Sequence, residues 1–329
     1  MTAARASEFE LIARHFAPLA GGRRIDAHGL KDDAASMAAR PGFDIVMTAD
    51  AVVRGIHFLP TDPPDLVARK ALRVNLSDLA AKGARPLCYL LCLALPKEID
   101  EEWIAGFAQG LAADQLEFGI ELAGGDTTST PGDLMIAITA LGEVPAGRML
   151  RRGAGRIGDE VWVSGTIGDG ALGLIAAQGD LGAAAAADIA ALTDRYRLPR
   201  PRTGLGPCLV EFDVAAMDVS DGLVQDLGHM CRLAGCGAEI EASRIPLSAA
   251  AAAQVAREPA LMARAVSGGD DYEILVAVAP AASTAMADAA RRCGTPMTRI
   301  GRLVAGEGVM VRAADGGPLD VGRGGWMHF

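Results

Sequence analysis

Six short stretches of this chain set aspartates among small residues. They are "LKDDAA" with Asp32 and Asp33, "MTAD" with Asp50, "NLSDLAA" with Asp78, "GGDTT" with Asp126, "MDVSDGL" with Asp218 and Asp221, and "SGGDDYEIL" with Asp270 and Asp271. The first five read as strand ends or helix starts, where a single aspartate commonly caps or turns the backbone. The repetition points elsewhere. Carboxylates that converge repel one another, by about 4 kcal/mol for a pair at ~4 Å with an effective dielectric near ~20. With only four lysines in the whole chain, that repulsion asks for cations the chain does not encode. Oxygen donors without a Cys/His cluster suit Mg2+ or a similar hard ion.

Magnesium suggests phosphate. "GRMLRRGAGR" places four arginines in ten residues of an acidic chain, among glycines that let backbone approach an anion; a solvated linker accounts for it equally well. None of the four lysines (31, 70, 82 and 97) sits in a GxxxxGK[ST] loop. Two stretches match GxGxxG. "GAGRIG" precedes a strand, which is the wrong context, and "GDGALG" lacks the second strand ending in an acid that a dinucleotide unit needs. A phosphate or packing role at a helix N-terminus stays open for the second.

The elements that must carry these residues follow from periodicity. Strands are predicted at 43–50, 88–96, 134–144, 161–164, 214–219 and 272–278, and helices at 65–84, 101–119, 171–178, 222–234 and 281–292. An Ala-rich helix is expected at 181–192. In "IELAGGDTTST", 120–130, a buried strand is expected to give way to a corner at the glycines. The Gly/Arg-rich run at 145–160 marks a domain boundary, giving domains 1–150 and 151–329.

The whole chain, 329 residues with 50% hydrophobic and 22% charged, has a globular composition long enough for two domains. A net charge of −10 with 4% aromatics argues against nucleic-acid binding. No apolar run approaches the ~20 residues of a membrane helix, and the start lacks a signal-peptide h-region, so a cytoplasmic protein is expected. The six cysteines show no CxxC or zinc spacing, and reduced, mostly buried thiols are expected.

With these motifs in hand, the chain resembles the thiamine-monophosphate kinases, of the superfamily that includes aminoimidazole ribonucleotide synthetase and selenophosphate synthetase. "NLSDLAA", "GGDTT", "SDGL" and "SGGDDYEIL", in this order, carry the resemblance, supported by "TADAVVRGIHF", "GRMLRRGA" and a terminal "HF". It implies an α+β fold of two mixed α/β domains, a homodimer pairing N-terminal sheets, and ATP held between the domains. It also implies transfer of the ATP γ-phosphate to thiamine monophosphate, the final step of thiamine diphosphate biosynthesis, with several Mg2+ ions.

Carried over by position, Asp33, Thr48, Asp50, Asp78, Asp126, Asp218 and Asp221 resemble the family's metal ligands. Gly125, Asp126, Arg152 and Ser220 match its ATP contacts, and His57 and Asp270 its substrate contacts. Trp326 is the choice for a thiamine-contacting aromatic near the C-terminus. Asp126, Arg152, Asp218 and Asp221 are the residues expected to carry catalysis. Lys31 stands where the family usually has glycine, Ala49 where a hydroxyl residue is common, and Lys82 where "AAMGA" has methionine. Two other readings share these carboxylates: a superfamily ATPase activating an amide or carbonyl oxygen, and a non-catalytic nucleotide sensor.

Overall fold

The computed structural model describes residues 7–322, apart from 23, 33 and 314. It divides into two compact units, Met1–Leu79 with Ala84–Gly147, and Ala80–Gly83 with Arg148–Phe329.

The first unit is built on a four-stranded sheet of order β3-β6-β4-β5. Its strands are β3 (Phe43–Val53), β4 (Arg85–Leu95), β5 (Glu121–Ser129) and β6 (Met135–Pro145), and a small ribbon joins β1 (Ile25–Asp26) to β2 (Ser36–Met37). One turn, α1 (Glu8–Leu11), opens the chain, and two long helices follow, α2 (Pro64–Ala81) and α3 (Glu101–Phe118). Local chemistry sets the limits of α3. The Asp100 side chain accepts from Trp103 N–H at the start, and Gly119 closes the end at φ 65°. Alternation decides which sheet face is covered. Val46 and Val52 of β3 share a face with Ile136 and Ile138 of β6 and with Leu91 and Leu93 of β4, all buried. The Thr48 hydroxyl donates to Asp78 of α2, which puts that helix on this face. Arg69 and Arg73 of α2 bond the fully buried Asp114 of α3 at 2.7 Å each, so the helix pair closes without an unpaired charge.

The predicted corner at 120–130 does not occur. β5 runs unbroken from Glu121 through the glycines, Asp126 and the threonines to Ser129, parallel to β4. A bulge at Tyr89/Leu90 lets the partners stay paired past the glycines. Gly125 is glycine because a Cβ there would lie 1.8 Å from the Leu91 carbonyl oxygen. The neighbouring strand by itself therefore requires glycine at 125.

The second unit holds a six-stranded sheet of order β12-β9-β11-β7-β10-β8. The strands are β7 (Glu160–Ser164), β8 (Val214–Val219), β9 (Gly237–Glu241), β10 (Glu273–Val278), β11 (Met297–Val304) and β12 (Val309–Arg312), antiparallel except for the β12–β9 pair. Its helices are α4 (Asp169–Gln178), α5 (Ala186–Arg197), α6 (Gly206–Leu209), α7 (Leu223–Ala234), α8 (Ala249–Arg257), α9 (Leu261–Ser267) and α10 (Pro280–Arg292). The strands predicted at 214–219 and 272–278 are β8 and β10, buried along their whole lengths. The unit's core gathers Val161, Val163, Met217, Leu227, Leu275 and Ile300 around this centre.

Two expectations fail here. The Ala-rich helix starts at Ala186, not 181, because Gly179 and Gly182 hold left-handed backbone after α4. Cys208 and Cys293, 85 residues apart, form a disulfide between α6 and the end of α10. Contact between those elements, which spacing cannot reveal, brings the two sulfurs within bonding distance. Of the four free cysteines, Cys88, Cys231 and Cys236 are buried and Cys92 is exposed. Among the described residues, no helix is long and apolar enough to cross a membrane.

Candidate active site

In the first unit, the acids fall into two groups. Thr48 and Asp50 sit within β3, not at its end, and Asp78 lies in the last turn of α2. The Thr48 hydroxyl donates to Asp78, and Asp50 N–H donates to the side-chain oxygen of the buried Asn75 at 3.2 Å. Asn75 in turn holds the Ala71 carbonyl, so the Thr48 hydroxyl, the Asp78 carboxylate and the Asp50 backbone are fixed between β3 and α2. Ala49 occupies the opposite face of β3 and leaves the group undisturbed.

Asp126 is elsewhere. Its row across the sheet is Cys92, Ala137 and Ala51, the face turned away from Thr48 and Asp50. β3 and β5 are opposite edge strands, three spacings or about 14 Å apart. Asp126 instead lines a cavity of about 590 Å³ with Asp32 and with Phe16, Ile25, Leu30 and Leu90. That size suits a small organic ligand. Asp33 lies outside the described residues, as does Trp326, while Lys31 is exposed beside it.

His57 follows β3 in a tight turn. Its Nδ1 accepts the Val53 N–H at 3.0 Å, which leaves the proton of the neutral ring on Nε2. The half-buried imidazole is thereby a donor toward whatever it meets.

The second unit gathers its residues around the end of β8 and the start of α7. Asp218 is buried near the end of the strand, and Ser220 and Asp221 form the turn. Both turn N–H groups donate to one oxygen of Asp226, at 2.9 and 3.0 Å. Asp221, Asp226 and His229 place ligand atoms within 4.8 Å of one another. Burial, and then the Asp221 charge, push the Asp226 carboxyl up to about 7. Burial, and then Arg232 and Arg152, lower His229. Arg152 opens a short turn beside α7, where the preceding Arg151 carbonyl accepts from Ala216 of β8. Lys82 donates to the carbonyl of the same Ala216 at 3.0 Å, a use that methionine could not fill. Asp226 and His229 were not singled out in the sequence. The signal was their i, i+3 spacing on one helix after "SDGL".

Asp270 and Tyr272 take left-handed backbone, at φ 72° and 52°. Such strain costs of order 1–3 kcal/mol per residue and persists only where the surroundings enforce it. Asp270 N–H reaches the Ser220 carbonyl and Tyr272 N–H the Val219 carbonyl, at 2.9 and 2.8 Å. Between them, the fully buried Asp271 accepts Gly168 and Gly170 N–H at 2.8 and 2.9 Å. This closes the question left by "GDGALG": Asp271 itself fills the N-terminus of α4, and the packing role stands.

The chain as a whole is similar to known proteins. Residues 31–144 match the family "AIR synthase related protein, N-terminal domain", and residues 156–313 its C-terminal counterpart. The thiamine-monophosphate kinase of Caulobacter vibrioides is 44% identical over 330 residues, 99% of this chain and 92% of that protein. The crystal structure of the thiamine-monophosphate kinase from Stenotrophomonas maltophilia K279a superposes with a TM-score of 0.79 at 41% identity, over 88% of this chain and 91% of that one. AaThiL, solved in complex with AMPPCP and TMP, superposes with a TM-score of 0.76 at 29% identity, over 89% of each chain. With its two sheets, its order of motifs and this end-to-end likeness, the chain belongs to the thiamine-monophosphate kinase family.

Proposed function

We propose that this enzyme transfers the γ-phosphate of ATP to thiamine monophosphate, forming thiamine diphosphate and ADP in the cytoplasm. The likeness to AaThiL, which holds AMPPCP and TMP, carries this reading. The division of labour follows domains 1–150 and 151–329, each contributing its own group of acids.

The attacking atom is an oxygen of the substrate's phosphate monoester, whose second pKa is near ~6, so it is anionic at neutral pH. It bonds to the γ-phosphorus as the bond from that phosphorus to the bridging oxygen breaks and ADP leaves. No proton has to be removed from the nucleophile. His57, with Nδ1 occupied by Val53, donates from Nε2 to the substrate and does not act as a base. Arg152 offers a planar fork to the ATP phosphates, and Gly125 and Ser220 offer backbone and hydroxyl contacts. The barrier is repulsion between two polyanions, and catalysis is positioning and charge neutralisation.

Thr48, Asp50 and Asp78 offer only oxygens, with Thr48 bonded to Asp78 and the Asp50 backbone to Asn75, and an all-oxygen donor set fits Mg2+. We assign them, with Asp33, Asp126, Asp218 and Asp221, as the residues that hold several magnesium ions. When bound, those ions neutralise the phosphate charge that builds in the transition state.

The working form is a homodimer. The sheet face that carries Leu90 and Asp126 is covered only in part by the start of the chain, and it exposes Met47 at 69%, Leu90 at 41% and Met135 at 39%. An apolar sheet face left in water suits a second copy of itself.

The test is a coupled assay for thiamine diphosphate. ATP- and Mg2+-dependent formation from thiamine monophosphate is expected. ATP turnover only with aminoimidazole precursors, or tight Mg-ATP binding without turnover, would overturn it.

A further inference from the structure

Resting on the function proposed above, we infer that Tyr272 is a positioning residue that sets affinity for the thiamine moiety by aiming the carboxylate of Asp270. Its hydroxyl donates to Asp270 Oδ1 at 3.1 Å. The two residues flank Asp271, and both hold backbone that bulky side chains rarely adopt. Among the described residues, only His28 and Leu30 are the other non-glycines with positive φ.

The surroundings enforce this conformation from two sides. Asp271 is tied to the start of α4 through Gly168 and Gly170. The main-chain N–H groups of Asp270 and Tyr272 are tied to the carbonyls of Ser220 and Val219. Gly269 lets these segments close, since a Cβ there would stand 2.3 Å from the Ser220 oxygen. Asp270 is therefore mounted directly on the turn that carries Ser220 and Asp221, and its one rotatable end is steadied by Tyr272.

The chemistry of the substrate gives this mount a purpose. Thiamine monophosphate carries a cationic thiazolium and an aminopyrimidine, and a fixed carboxylate complements both. ATP offers no cationic ring at neutral pH, so an effect acting through Asp270 falls on one substrate and spares the other. A tyrosine that merely packed would show no such division.

The test compares wild type, Tyr272→Phe, Asp270→Asn and the double variant, reading kcat, KM for each substrate, and Tm. In Tyr272→Phe, KM for thiamine monophosphate should rise about five- to tenfold, the scale of one ordinary side-chain hydrogen bond. kcat, KM for ATP and Tm should stay within about twofold or a degree or two. Because Tyr272 acts through Asp270, the double variant should be no worse than Asp270→Asn alone. An unchanged KM for thiamine monophosphate, a common loss of kcat, ATP affinity and Tm, or additive effects in the double variant would each overturn the inference. Absence of thiamine monophosphate turnover in wild type would instead overturn the proposed function, and this inference with it.

Discussion

Asp126 and His57 show how much a single neighbour changes the meaning of a residue. Asp126 is exposed on an edge strand, beside a cavity that also presents Asp32, and no partner in the first sheet cancels its charge in its own row. Replacing it with Asn keeps size and strand pairing but removes charge. Turnover of Asp126→Asn should fall about 100-fold, with a higher Mg2+ requirement and an unchanged Tm. Wild-type activity at low Mg2+ would reduce Asp126 to an ordinary strand residue. His57 makes the complementary case. Its Nδ1 already accepts Val53 N–H, so removing the ring should cost affinity, not the acidic limb of the pH–rate profile. In His57→Asn that limb should still follow the substrate phosphate, near ~6, while KM for thiamine monophosphate rises. A limb that disappears with substrate binding intact would establish a protein base.

Among the elements, the start of α4 shows what a buried acid does. The Asp271 carboxyl is pushed up to about 8 by burial, against the opposing N–H bonds from Gly168 and Gly170. A carboxyl with a folded pKa above its unfolded value keeps a proton that the unfolded chain has already released. Its contribution is full below the unfolded pKa of ~3.9 and drains away as pH rises toward about 8. Thermal stability should therefore decline between pH 6 and about 8, and the decline should be weaker in Asp271→Asn. That variant presents an amide NH2 to one of the two N–H groups, and should lose ~1–3 kcal/mol of stability. Equal pH slopes in the two proteins, measured by calorimetry, would rule Asp271 out as the source. The same element explains the second GxGxxG match. Its glycines free two N–H groups, and a side chain from 100 residues downstream takes them both.

At the scale of the whole molecule, the exposed part of the partly covered face of the first sheet is the largest commitment. Met47, Leu90 and Met135 lie in neighbouring strands of that face, with Ala49 and Ala51 between them. A charge at its centre should be tolerated by the isolated fold and intolerable between two copies. Met47→Glu should shift the molecular mass in solution from dimer to monomer and lower activity at least tenfold, with secondary structure preserved. A wild-type monomer by light scattering would remove the dimer from the mechanism. A Met47→Glu dimer would place the interface on another surface.

The sequence by itself determined what depends on short range. Periodicity located the helices 101–118 and 223–234 and the strands 43–53 and 135–145 within a few residues, because each element's buried face is written in its own spacing. The motif order pointed to the family for a related reason: residues bound to one chemistry are kept as short strings. What lay beyond reach were the meetings of strings far apart. Only the pairing of β5 with β4 made "GGDTT" a strand, through the Leu91 carbonyl that crowds Gly125. Sheet order set Asp126 and Asp50 on opposite edges, and register set them on opposite faces. Tertiary contact likewise brought Cys208 against Cys293, and Asp271 to the N–H groups of Gly168 and Gly170. Each of these depends on register and packing between segments, which are settled by burial across the whole fold and not by the composition of either segment.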